Sequence, residues 1–169
     1  MNHSQRTPFA AQAITDCPET YHDLMTALRD ICTHVSDIIK KHLPDIHSEL
    51  TVFCDILPLN EDPMTRPFPG CVINLQVSTE AHLDSGDDLI CVVIPFGNFE
   101  DGELVLFEAG LIIDMREGDF FIFPSFHLTH FNMSFKGVRG SVVMHSDKGA
   151  LRWKLDRNGW MNHIATFAL

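Results

Sequence analysis

The 169-residue chain is poor in the features that would staple it, anchor it in a membrane or draw it to a polyanion. Its five cysteines (Cys17, Cys32, Cys54, Cys71 and Cys91) are odd in number, widely spaced and without a CxxC pair, which excludes a disulfide framework and a zinc ribbon. Reduced, mostly buried thiols are expected. No apolar run approaches the ~20 residues of a spanning helix, and the opening MNHSQRTPFAAQA has no signal-like apolar core. An intracellular protein, cytoplasmic or nuclear and without membrane attachment, is expected. Basic residues are scarce, 12 Lys and Arg against 23 Asp and Glu, giving a formal charge of -11. Such a charge disfavours a nucleic-acid partner, which would need a local basic patch that the composition does not show. Internal repeats and low-complexity segments are also absent from the sequence.

What is present fits one domain, residues 1–169, with a sizeable core, since 45% of the chain is hydrophobic. From Pro18 to about His42 the apolar positions recur at three and four, the period of an amphipathic helix. Asp16 with Glu19 resembles a capping box and Pro44 ends the pattern. His22, His34 and His42 are read as surface residues of that helix. Short strand-like runs follow at Thr51–Leu57, Cys71–Val77, Leu89–Ile94, Glu103–Phe107, Leu111–Met115, Phe120–Phe123, Leu128–Phe135 and Arg139–His145, most of them separated by Gly-containing turns. Many short strands without interleaved helices predict an antiparallel sandwich or barrel. The fold class expected is mainly β with flanking helices. It divides into a helical segment over 1–50 packed outside, a jelly-roll core over 51–148 and a C-terminal helical cap over 149–169. Residues 58–70, PLNEDPMTRPFPG, hold four prolines and read as a loop, a kind of segment that often carries function.

The chemistry begins at STEAHLDSGDD, residues 78–88. Carboxylates and imidazoles cost free energy to desolvate unless paired, and one possible partner is a metal ion. In extended backbone, side chains two apart share a face, so His82 and Asp84 converge while Leu83 points away. FIFPSFHLTHFN offers a third ligand in His127 or His130. Two imidazoles and one carboxylate form the facial triad of non-haem iron(II) oxygenases.

The ordered segments INLQVSTEAHLD, FGNFEDGELVL, GLIIDMREGDFFIFPS, LTHFN and GVRGSVV resemble successive strands of the 2-oxoglutarate and iron(II)-dependent dioxygenase superfamily. Within it they look most like the fungal branch related to the Tet and base-J hydroxylases. The resemblance covers roughly residues 70–155 and implies a double-stranded β-helix, a cupin-like jelly roll. It implies His82, Asp84 and His130 as metal ligands, with His130 in the Leu-x-His-x-Asn context. It implies Arg139 as the partner of the distal carboxylate of 2-oxoglutarate and Asn74 as a further contact to that co-substrate. Relatives often carry a histidine just after the position of Ser125, where this chain has Phe126 and then His127, so His127 competes for the third ligand position. Fe(II), 2-oxoglutarate and ascorbate as a reductant are the cofactors implied, with Phe123, Phe126 and Phe131 as pocket walls and hydroxylation of a C–H bond as the reaction. The substrate is left open among a modified base, a protein side chain and a small metabolite.

Two other readings stand beside this one. A non-catalytic metal-binding module or sensor would use the same three ligands, and a zinc hydrolase would use them without oxygen, but neither gives Arg139 a task. A calcium loop at Asp84, Asp87 and Asp88 lacks the required order of ligands. Glu103 and His145 are read as structural.

Overall fold

The computed structural model describes residue 8 and residues 10–57 and 63–156. The described residues divide into two compact units, one of those up to Pro69 together with those from Lys148 onward, the other Gly70–Asp147.

In the first unit α1 spans Gln12–Asp16, α2 Pro18–His42, α3 Pro44–Asp55 and α4 Lys148–Asp156. The period read in the sequence places Cys32, Val35 and Ile39 on the buried stripe of α2. No capping box forms: Asp16 ends α1, Cys17 makes no side-chain cap, and Pro18 opens α2 with its fixed φ. Pro44 does the same for α3. The strand expected over Thr51–Leu57 is therefore corrected, because that run lies in and just after α3. Its buried residues Leu50, Phe53 and Cys54 recur at three and four, so the β-branched and aromatic content of TVFCDIL yields to helical packing. Trp153 on α4 is buried, and its indole N–H donates to the carbonyl of Ile56 at 2.7 Å. Of the proline-rich segment, Thr65 and Phe68 are buried, and residues 58–62 lie outside the described residues. The same holds for the C-terminal part of the expected cap, including Trp160.

The second unit is all β. Its strands are β1 (Gly70–Leu75), β2 (Asp87–Phe96), β3 (Phe99–Asp101), β4 (Leu104–Leu106), β5 (Leu111–Ile113), β6 (Phe121–Phe123), β7 (His130–Asn132), β8 (Phe135–Gly137) and β9 (Gly140–Asp147). They form a four-stranded sheet in the order β1-β9-β2-β6, a three-stranded sheet β5-β4-β7 and a two-stranded ribbon β3-β8, every pairing antiparallel. Strand β3 lies outside the strand-like runs read from the sequence, between Leu89–Ile94 and Glu103–Phe107. The core joins the two larger sheets: Cys91, Val93, Phe121, Phe123 and Val143 from one meet Leu104, Leu106 and Ile113 from the other. Alternation along β9 then puts Ser141 and His145 on the same face as Val143. On β1, Asn74 sits opposite Ser141 and Gly70 opposite His145. A register shift between Asp88 and Val92, with Leu89 in the left-handed region at φ 63°, bends the start of β2. That bend carries the acidic run beside Asp84.

Candidate metal centre

His82 and His130 meet because their backbones pair. His82 N donates to His130 O at 3.1 Å and His130 N to His82 O at 2.9 Å, an isolated antiparallel bridge. Directly opposed residues project to one side, and the ring centroids lie 4.4 Å apart. Asp84, two residues along, is held by its N–H donating to Ser125 O at 3.2 Å, while Leu83 between them is 46% exposed. Asp84 Oδ1 lies 3.5 Å from His82 Nε2, and Asp84 Oδ2 lies 3.4 Å from His130 Nε2. The possible ligand atoms of His82, Asp84 and His130 all fall within 4.8 Å of one another. His127 is not in this group: it is exposed and its ring packs on Phe126 at 4.0 Å. Phe123 packs edge-on against His130 at 5.0 Å. Phe131, adjacent to His130 on β7, faces the other side of its sheet and so is no wall of this site.

The protonation pattern follows from the partners. His82 Nδ1 lies 2.7 Å from the carbonyl oxygen of Glu80, and His130 Nδ1 lies 2.9 Å from that of Leu128. A carbonyl only accepts, so each Nδ1 carries a hydrogen toward it and each ring turns Nε2, the nitrogen that a neutral imidazole leaves free to bind a metal, toward Asp84. Two imidazoles and a carboxylate facing one another are the donor set that a metal cation takes when the imidazoles are neutral. A backbone carbonyl orienting the far nitrogen is what metal-binding histidines ordinarily have. The spacing fits as well, since ligands at right angles on bonds of about 2.1 Å lie about 3 Å apart. Without a metal the charges answer one another. The hydrogen bond with His130 holds the Asp84 carboxyl below its usual range against the opposing effect of burial. Burial lowers the His130 pKa, but Asp84, the Leu128 carbonyl and Asp87 outweigh it and raise it.

Behind Asp84 stands a second polar group. Ser125 is 1% exposed and its hydroxyl donates to Asp87 Oδ2 at 3.0 Å. Asp87 N in turn donates to Asp84 O at 2.8 Å, and Asp87 Oδ1 lies 3.3 Å from His145 Nδ1. That last contact has the distance of an ion pair but not the alignment of a hydrogen bond, so Nδ1 stays without a hydrogen-bond partner. The ring of His145 occupies the place of a side chain at Gly70, where a Cβ would lie 2.7 Å from Nε2. Cys91 borders the same serine, and burial pushes its thiol up to about 12, so it stays protonated. Sequence reasoning missed this bracing of Asp84. Its signal was faint: an aspartate three residues after a proposed ligand and a histidine in phase with the core residue Val143.

Arg139 precedes β9 and is 4% exposed. Its guanidinium carbon lies 5.3 Å from the ring centre of Phe99 and 5.7 Å from that of Phe135. The ribbon explains the pair, for Asp101 opposes Phe135 and Phe99 opposes Gly137, which puts both rings on one ribbon face. Gly102, at φ 83°, leaves room beside them, since a Cβ there would lie 3.4 Å from Arg139 Nε. Burial lowers the Arg139 pKa, and Nε is buried with no hydrogen-bond partner. A desolvated cation with an unused donor fits an anion that brings its own acceptors. Asn74 Nδ2 donates to Ser141 Oγ at 3.4 Å, on the strand that Arg139 leads into. Gln76, just past β1, adopts φ 55°, a conformation that costs a non-glycine residue on the order of 1 kcal/mol.

No protein-family model matches the chain, and no curated protein matches it in sequence. Among solved structures it is similar to that of NgTET1 in complex with 5mC DNA, with a TM-score of 0.71 and 17% identity over 89% of this chain and 59% of that one. The chain therefore spans less than two thirds of that protein's length. At this identity the likeness is one of fold, and it agrees with a jelly-roll-like β unit accompanied by a few helices.

Proposed function

We propose that the protein is an Fe(II)- and 2-oxoglutarate-dependent dioxygenase that hydroxylates a C–H bond, and that residues 70–147 form a double-stranded β-helix. The observation that carries this reading is the convergence of two imidazole Nε2 atoms on one carboxylate, in a unit that also buries a guanidinium with an unused donor. His82, Asp84 and His130 would hold the metal. Bound iron(II) with 2-oxoglutarate and oxygen supplies the oxidation, converting 2-oxoglutarate and O2 to succinate and CO2 as one C–H becomes C–OH. The chain's own residues do the rest. The carbonyls of Glu80 and Leu128 hold both imidazoles in the tautomer that presents Nε2. Phe99 and Phe135 flank the guanidinium of Arg139, which would bind the distal carboxylate of the co-substrate in a charge-assisted pair. Asn74, on the inner face of β1, would contact the same molecule.

The substrate is less constrained. NgTET1 was solved with 5mC DNA, which makes a methylated oligonucleotide one arm of a substrate panel. Against it, the cations of the β unit are Arg116 and Lys136, paired with Asp114 and Asp101, and the buried Arg139. That leaves little in this unit to neutralise a phosphate backbone and favours peptides and small metabolites. Among the described residues no helix is long and apolar enough to cross a membrane. The test of the cofactor reading is anaerobic. Addition of iron(II) and 2-oxoglutarate should produce a weak visible charge-transfer band that His82→Ala abolishes, and a band of equal strength in that variant would refute the ligand set.

A further inference from the structure

Gln76 makes three hydrogen bonds to the segment that carries Arg139. Its N–H donates to Arg139 O at 2.9 Å, its Oε1 accepts from Arg139 N at 2.6 Å, and its Nε2 donates to Gly137 O at 3.2 Å. The first two reproduce a rung of the β1–β9 ladder. Register runs from Gly70 opposite His145 to Leu75 opposite Gly140, so the next pair is Gln76 with Arg139. In an ordinary rung the backbone carbonyl of residue 76 would accept from Arg139 N. Here the chain turns away at φ 55°, and the side-chain amide oxygen of Gln76 takes the place of that carbonyl.

The other side of the segment is equally confined. Val138 N donates to Asn98 O at 2.8 Å. A Cβ at Gly97 would lie 2.4 Å from Val138 O, and one at Gly137 would lie 2.3 Å from Asn98 O, both at positive φ. Residues 137–139 are thus gripped between 97–98 and Gln76. Left-handed backbone at a glutamine persists only where its surroundings over-determine it, and such strain gathers at binding and catalytic positions. The guanidinium stands at the end of a long flexible side chain, so its aim depends on how firmly its own backbone is held.

We propose that Gln76 is the positioning residue that aims Arg139, and through it sets the preference for a keto acid bearing a second carboxylate. This rests on the reading of Arg139 as the carboxylate anchor. The experiment compares 2-oxoglutarate with pyruvate, which has the keto-acid end but lacks the second carboxylate. Dissociation constants are measured anaerobically on the iron(II)-loaded full chain, together with the affinity for the metal. In Gln76→Gly, which keeps the backbone conformation and removes the amide, 2-oxoglutarate should bind roughly tenfold more weakly. Pyruvate and metal affinities should stay unchanged. If Gln76→Gly does not fold, Gln76→Met keeps the side-chain length without either amide atom and should lose the same preference. A parallel fall for both keto acids, or no fall for either, overturns the proposal. Arg139→Met is the separate control: loss of preference there beside an unaffected Gln76→Gly sinks only the role of Gln76, whereas a retained preference sinks the anchor reading itself.

Discussion

At His82 and His130 each Nδ1 has a backbone carbonyl two residues back, and the backbone of the aspartate between the rings is held by Ser125 and Asp87. At Arg139 the backbone is clamped just as tightly, but the guanidinium Nε inside the protein has no acceptor. One pole of the β unit sets two imidazoles around a carboxylate. The other buries a cation and lacks an acceptor. The proposed co-substrate gives both a task, the metal end at the imidazoles and the far carboxylate at Arg139, whose buried Nε would otherwise break the rule that buried polar groups are satisfied.

Separating the poles by substitution sharpens the comparison. The largest effect is expected from Asp84→Ala, which removes the one carboxylate facing both imidazoles. Because loss of even an indirect partner costs ten- to a hundredfold in metal affinity, this variant should lose more than about a hundredfold. Titration with cobalt(II), followed by its visible absorption, measures it. An intermediate effect is expected from Asp87→Asn, which keeps the shape of the brace but weakens its hold on Ser125 and His145, with metal affinity falling roughly tenfold. Unchanged affinity in that titration would leave Asp87 a purely structural residue.

The smallest effect is one of pH, on the metal-free protein. The contact with Asp87 raises the His145 pKa against the opposing effect of burial, with Asp147 and Asp84 adding to the rise. A group whose pKa is raised by folding stabilises the fold below its unfolded value and loses that contribution as pH rises through the folded one. The stability advantage of the wild type over His145→Phe should therefore be larger at about pH 5.5 than at about pH 8.5, by no more than about 1 kcal/mol. Thermal unfolding of both proteins at the two pH values checks the sign.

The parts legible in the sequence were those governed by period and spacing. His82 and Asp84 share a face because they are two apart, and eight of the nine strands fall in or beside runs that alternation and Gly-containing turns mark out. Misreadings arose where local composition competed with packing. TVFCDIL has strand-like residues, but Leu50, Phe53 and Cys54 bury one helical face, and FED in β3 has turn-like residues yet pairs with β8. Placing His130 rather than His127 beside His82 depends on a bridge between residues far apart in the chain, which no local rule reaches. Gln76 was invisible for a different reason: its role comes from a positive φ that its residue type does not announce.

The most direct test is a crystal structure grown without oxygen in the presence of manganese(II) and 2-oxoglutarate, with anomalous scattering locating the metal. The account predicts one metal bonded to His82 Nε2, a carboxylate oxygen of Asp84 and His130 Nε2, with the far carboxylate of the co-substrate on Arg139. A metal held elsewhere, or by His127 in place of His130, would contradict it.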